Sequence, residues 1–216
     1  MMTKNSHKPI ARPQTKVTRE DWINTALNTL VDEGIEQVKI MPLSKKLKVS
    51  RASFYWYFSD KETLHNELIH YWSIMNTQVI IKQASKPAPS IIEAVANIFS
   101  CWMDEHSFSP KLDAAIRAWA HRDKCINELV DKEDEERLTA IKIMFLNHGY
   151  TDKEAFIRAR VLYFMQIGYY ALKIQESFET RLSYFEPYVF SFTGVKPSKK
   201  QVKNAINIIS SNIPKN

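Results

Sequence analysis

The sequence predicts an all-α protein of two parts, a three-helix N-terminal helix-turn-helix domain and a larger C-terminal helical domain. Three observations predict it. Apolar residues recur at three- and four-residue spacing along most of the 216-residue chain. Helix start signals precede those runs, as in Thr18, Ser90-Glu93, Ser109-Pro110 and Thr151-Glu154. Only four glycines are present, too few for a hairpin-rich β fold or a Gly-rich phosphate loop, and no alternating strand pattern competes.

Residues 1–17 are polar, basic and carry Pro9 and Pro13, which reads as a flexible arm. Thr18 then caps a first helix, with Glu20 and Asp21 in its first turn. Trp22, Ile23, Ala26, Leu27, Leu30 and Val31 form its apolar stripe, and Gly34 supplies the stop. A short second helix is marked by Ile40, Leu43 and Leu47, with Pro42 in the first turn. Lys48 to Ser50 is a break, and Ser50 can cap a third helix. Phe54 and Phe58, four apart, face inward with Val49, which leaves Arg51, Ala52, Ser53, Tyr55, Trp56 and Tyr57 on the other sides. A fourth helix starts near Ser59 or Asp60 and runs past Met75, long enough to join two domains.

Pro87 and Pro89 mark a linker. After it the pattern predicts helices from Ser90 and Ser109, and one from about Lys124 to His148 with an exposed acidic run at Asp131–Glu136. A very apolar helix follows from Thr151 to about Ser177, then an aromatic segment from Tyr184 to Phe192 and a lysine-rich helix after Ser198. The resulting division is an arm over 1–17, a DNA-binding domain over 18–64, and a domain over 65–216 ending in the basic tail.

Charge separates the parts. Residues 1–58 hold ten Lys or Arg against five acids, residues 59–195 hold fifteen against nineteen, and the tail holds five lysines and no acid. A basic front on an acidic body favours a polyanionic partner at the N-terminal end. The longest apolar run, Val161–Leu172, contains Gln166 and is short of the ~20 residues that span a bilayer, so no membrane segment is expected. The first sixteen residues lack an apolar signal segment, and Cys101 and Cys125 read as reduced, buried thiols, which points to the cytoplasm.

The densest feature is Leu43–Leu64. Lys39, Lys45, Lys46, Lys48 and Arg51 place five positive charges and no acid within thirteen residues. Arg51 suits a guanine edge, Ser53 a base edge, and Ala52 a thymine methyl, while Trp56 can meet a methyl or the sugar-phosphate surface. Tyr55, Tyr57, Lys48 and Lys61 suit phosphate oxygens. The bland reading is a helical hairpin with a solvated basic face.

This stretch resembles the TetR family of transcriptional regulators in Gly34, Leu43, the Val49-Ser50 turn, Tyr55, Phe58, Lys61 and Leu64, with FYWYF close to the recognition signature. The likeness covers about residues 18–65. A weaker one covers 112–150, where LDAAIRAWAHRD precedes an acidic helix. The resemblance implies a homodimer on double-stranded palindromic operator DNA, regulated by a small effector. It assigns base reading to Arg51, Ala52, Ser53 and Trp56, and phosphate contact to Thr18, Tyr55, Tyr57 and Lys61. Two positions depart from the family: Val38 replaces a threonine, and Leu47-Lys48 replaces Ala-Gly, which puts a lysine in a left-handed turn.

For the C-terminal domain, Phe99, Trp102, Met103, Trp119, Phe145, Tyr163, Phe164 and Tyr169 are candidates to line a pocket for an apolar or aromatic effector. Plain core is the competing reading of each. Gly168 and Ala171 interrupt a bulky helix face and, with Phe185 and Tyr188, are candidates for a dimer interface. An intramolecular bundle helix reads the same way. His106, His121 and His148 share no ligand spacing, so no metal or cofactor is expected, and His121-Arg122-Asp123 reads as a helix terminus. No catalytic triad order or HExxH string is present, which disfavours an enzyme. A constitutive DNA-binding dimer and a helical enzyme or carrier stay as alternatives.

Overall fold

The computed structural model describes residues 17–104 and 107–211, and the arm read over residues 1–17 lies outside them except for Val17. Among the described residues every regular element is helical. Two compact units divide between Leu68 and Ile69, inside a helix.

In the first unit, α1 (Arg19–Glu33) starts at a reciprocal cap. Asp21 N–H donates to Thr18 Oγ1 at 3.2 Å, and Thr18 N–H donates to Asp21 Oδ2 at 2.7 Å. Trp22, Ala26, Leu27 and Leu30 form its buried stripe, and Gly34 at φ 84° ends it. Next come α2 (Ile40–Lys46), a 3-10 segment (Arg51–Trp56) and α3 (Lys61–Trp72). Asp60 opens α3 by accepting Thr63 N–H at 2.7 Å. The core is aromatic. Phe54 meets Trp22 edge-on at 5.3 Å and stacks on Phe58 at 5.1 Å, with Leu43, Leu64 and Leu68 closing around them.

Lys48 stands at φ 56°, the left-handed conformation that its place in the break predicts. That conformation costs a residue with a Cβ roughly 1–2 kcal/mol, while glycine loses about 0.5–1 kcal/mol more chain entropy on folding. Lys48→Gly is therefore expected to raise stability by about 0.5–1 kcal/mol in a urea melt, and a lower midpoint would contradict the strain.

In the second unit, α3 gives way to a π-helical turn (Ser73–Gln78) and then α4 (Val79–Ala84). The remaining helices are α5 (Ile91–Trp102), α6 (Pro110–Ala120), α7 (Lys124–Leu146), α8 (Asp152–Ala171), α9 (Phe178–Ser183), α10 (Phe185–Thr193) and α11 (Lys199–Ser211). All residues of α5 are buried, packed by α4, α7, α10 and α11. The lysine-rich end of the chain is thus anchored, because Ala205 and Ile209 of α11 face this core. Caps at Ser109, Asp123 and Thr151 start α6, α7 and α8, and Asp123 confirms His121–Asp123 as a helix junction.

Three expectations change. Helix α8 stops at Ala171, not near Ser177, because Lys173 turns left-handed at φ 53°. Ser90 caps through Ile92 N–H and bonds the Glu93 side chain, in place of the full reciprocal box. Cys125 is exposed near the start of α7, whereas Cys101 is buried and burial pushes its thiol pKa far up. Among the described residues no helix is long and apolar enough to cross a membrane.

Candidate nucleic-acid interface

The recognition segment is wound more tightly than an α-helix. Ser53 N–H donates to Ser50 O at 3.1 Å and Tyr57 N–H to Phe54 O at 3.0 Å, both i→i+3 bonds. Phe54, fully buried, fixes the register. Arg51, Ala52, Tyr55 and Trp56 are consequently exposed, Tyr55 at 61% and Trp56 at 37%. Ser53 is a correction, since it is only 3% exposed and its unpaired Oγ lies inside the unit, away from any base edge. With about three residues per turn, the segment turns Ser53 inward beside Phe54.

The phosphate candidates divide. Lys48 is exposed, and Lys45, Lys48 and Arg51 make no ion pair among the described residues. Tyr57 Oη donates to Val17 O at 2.9 Å, tying the start of the unit to the recognition segment. Thr18 Oγ1 is engaged by Asp21 within the cap, and Lys61 is half-buried with Glu62 at 3.9 Å. Lys46 is taken out of the basic set by Glu33 and Thr29. Val38 is fully buried, so the hydroxyl missing there is replaced by core packing.

The effector candidates do not converge on one place. Phe99 packs against Trp102 and Phe185 at 5.8 Å each, while Phe145 meets Tyr150 edge-on at 5.2 Å. Trp119 is buried, and Met103 and Tyr169 are half-buried. Phe164 is a correction: it is 46% exposed on the outside of α8, beneath the Arg160 guanidinium at 4.7 Å. Of the interface candidates, Ala171 is exposed, Gly168 is half-buried, and Tyr188 stacks on Phe192 at 5.7 Å. Phe185 is corrected to core, since it is 1% exposed against Phe99.

Pattern reading missed a buried ionic cluster. Arg137 is fully buried, with Nε donating to Thr77 Oγ1 at 2.8 Å and Nη1 to Tyr163 Oη at 2.9 Å and Asp113 Oδ1 at 3.1 Å. Its guanidinium lies over the Trp72 ring at 4.9 Å, and Trp72 Nε1 donates to Asp113 at 2.8 Å. Arg117 clamps Asp134 with two bonds of 2.8 and 2.6 Å and reaches Asp113 at 2.7 Å. Burial favours the neutral acid at Asp113, but Arg137 and Arg117 outweigh it and hold the carboxyl below its ordinary value. The acidic run is therefore not uniformly exposed, because Asp134 and Arg137 share the inward face of α7.

A tight turn, a buried aromatic register and an outward basic-aromatic face define the helix-turn-helix DNA-binding class. Residues 23–68 match the family model for bacterial regulatory proteins, tetR family. The chain carries an N-terminal domain of the TetR family. Whole-chain likeness extends to solved structures. Salmonella enterica GusR shares 13% identity over 89% of this chain and 95% of its own, with a TM-score of 0.56. A TetR-family regulator from Rhodococcus sp. shares 11% over 81% and 98%, at 0.59, and a transcriptional regulator from Rhodococcus sp. Rha1 shares 16% over 90% and 97%, at 0.55. At these identities the likeness is one of fold. No curated protein sequence matches the chain.

Proposed function

We propose that the protein is a cytoplasmic, homodimeric repressor that occupies a two-fold operator and is released by a small apolar or aromatic effector. The observation that carries the DNA-binding reading is the exposed set Arg51, Ala52, Tyr55 and Trp56 flanked by the unpaired cations Lys45 and Lys48. Arg51, Ala52 and Trp56 read bases, and Lys48 and Tyr55 hold phosphates. The test is fluorescence anisotropy on a duplex selected from random DNA, at fixed salt. Arg51→Ala is expected to cost about 1–3 kcal/mol and relax the preferred sequence. Lys48→Gly is expected to lower the slope of log affinity against log salt by about 0.9. Unchanged affinity in both Arg51→Ala and Tyr55→Ala would remove the groove-docking reading.

The dimer reading is supported by Ile157, Val161 and Phe164, which leave an apolar stripe exposed on α8. Beside it an open groove of about 480 Å³ is bounded by Ile157, Val161 and Phe192. The effector reading rests on the interior aromatics Phe99, Trp102 and Trp119 with Met103 and Tyr169. The complete burial of α5 favours a second reading, a constitutive DNA-binding dimer. Operator titration against a panel of aromatic ligands separates the two: release by any one carries the first, and release by none carries the second.

A further inference from the structure

The π-helical turn Ser73–Gln78 lies five residues beyond the unit boundary in the helix that carries it. Such a turn is one extra residue inserted in an α-helix; it bends the helix axis and loses hydrogen-bond quality. Two consecutive polar residues of this turn, Asn76 and Thr77, are fully buried. Thr77 Oγ1 accepts from Arg137 Nε at 2.8 Å, and Asn76 Nδ2 donates to Ser109 O at 3.0 Å. Their hydrogen bonding is incomplete. Asn76 Oδ1, an acceptor, and Arg137 Nη2, a donor, are both buried without a partner, on either side of the Thr77 bond. An unpaired buried donor and acceptor so placed have a satisfied arrangement close by.

We propose that this turn is a register switch in which Thr77 and Asn76 are alternative partners of Arg137. The extra residue can step along the helix by exchanging i→i+5 for i→i+4 backbone bonds, with no covalent change. One step toward α4 leaves Asn76 in the place that Thr77 now occupies, and its carboxamide oxygen then accepts from the guanidinium. Each residue of displacement turns the plane of the helix bend by about 100°, the angle between successive residues. Residues Lys61–Trp72 are thereby redirected, and Trp72 is drawn from Asp113. The fixed parts of the switch are the Arg117–Asp134 clamp and Tyr163, which hold Arg137 whichever partner it takes. The coupling to DNA rests on the regulator reading above; the register change itself does not.

The test is a mutant cycle in the full-length chain, read by hydrogen exchange of residues 73–84 and by affinity for the selected duplex. Thr77→Ala removes the present partner and is expected to speed exchange and weaken duplex binding about tenfold, the scale of one hydrogen bond to a charged group. Adding Asn76→Ala removes the alternative partner and is expected to bring both readouts back toward the parent. Thr77→Ser keeps the hydroxyl and is expected to behave as the parent, which separates the switch from a simple loss of folding. A double variant that exchanges as fast as Thr77→Ala, or faster, overturns the proposal, because a purely structural pair would add its losses. Unchanged exchange in Thr77→Ala overturns it too. Suppression in exchange with unaltered duplex affinity throughout overturns the coupling to DNA. A parent that binds no duplex instead fails the regulator reading, and the exchange cycle still decides the switch.

Discussion

Arg137→Leu is expected to destabilise the second unit by about 3–5 kcal/mol at neutral pH, because it strands partners that folding has removed from water. Asp113, 3% exposed, loses its leading attraction, and Thr77 and Tyr163 lose a charged donor. Arg117 still reaches Asp113 and Asp134, which places the cost within that range and below the loss of the whole cluster. The effect has a pH signature. Asp113 titrates below its unfolded value in the folded chain, so its stabilisation is present above about pH 4 and disappears as pH falls through the folded value. The variant has less of this contribution to lose, and the two stability curves should converge in acid. Urea melts from pH 7 down to 3 check it. A cost under about 1 kcal/mol, or a gap independent of pH, would mean the cluster is not held by charge pairing.

Val161→Asp is expected to give a monomer and to weaken operator binding by about 10²–10⁴-fold. Val161 is 47% exposed between Ile157 and Phe164, so a carboxylate there costs the isolated chain little. In an interface it would be buried without a partner, and in a two-fold assembly it would be buried twice. The loss on DNA follows from effective concentration: two linked recognition segments bind as one unit, and a monomer forfeits that gain. Sedimentation velocity and anisotropy on full and half operators check the two parts. A variant that stays dimeric moves the interface elsewhere on the chain.

The elements were legible where their signals are local. Thr18, Gly34, Ser109-Pro110, Asp123 and Thr151 act on backbone groups within one turn, so their meaning survives without tertiary context. The exposed recognition residues were legible for a related reason, since Phe54 and Phe58 fix which side is buried. Ser53 was not, because its direction depends on three residues per turn instead of 3.6. The Arg137 cluster was not legible either. A run of acids covers every side of a helix at 100° per residue, and nothing local says that Asp134 and Arg137 turn inward to Asp113, more than twenty positions earlier. The early stop of α8 has no glycine or proline to announce it.

The two thiols differ enough to make the unmodified chain its own reporter. Cys101 is enclosed and held protonated, so a maleimide reagent will pass it by, whereas Cys125 stands in solvent on the first turn of a 23-residue helix. One label per copy follows without any engineering. In a two-fold pair, Cys125 labels would give a single inter-copy distance, and any ligand or DNA that rearranges the pair would move it.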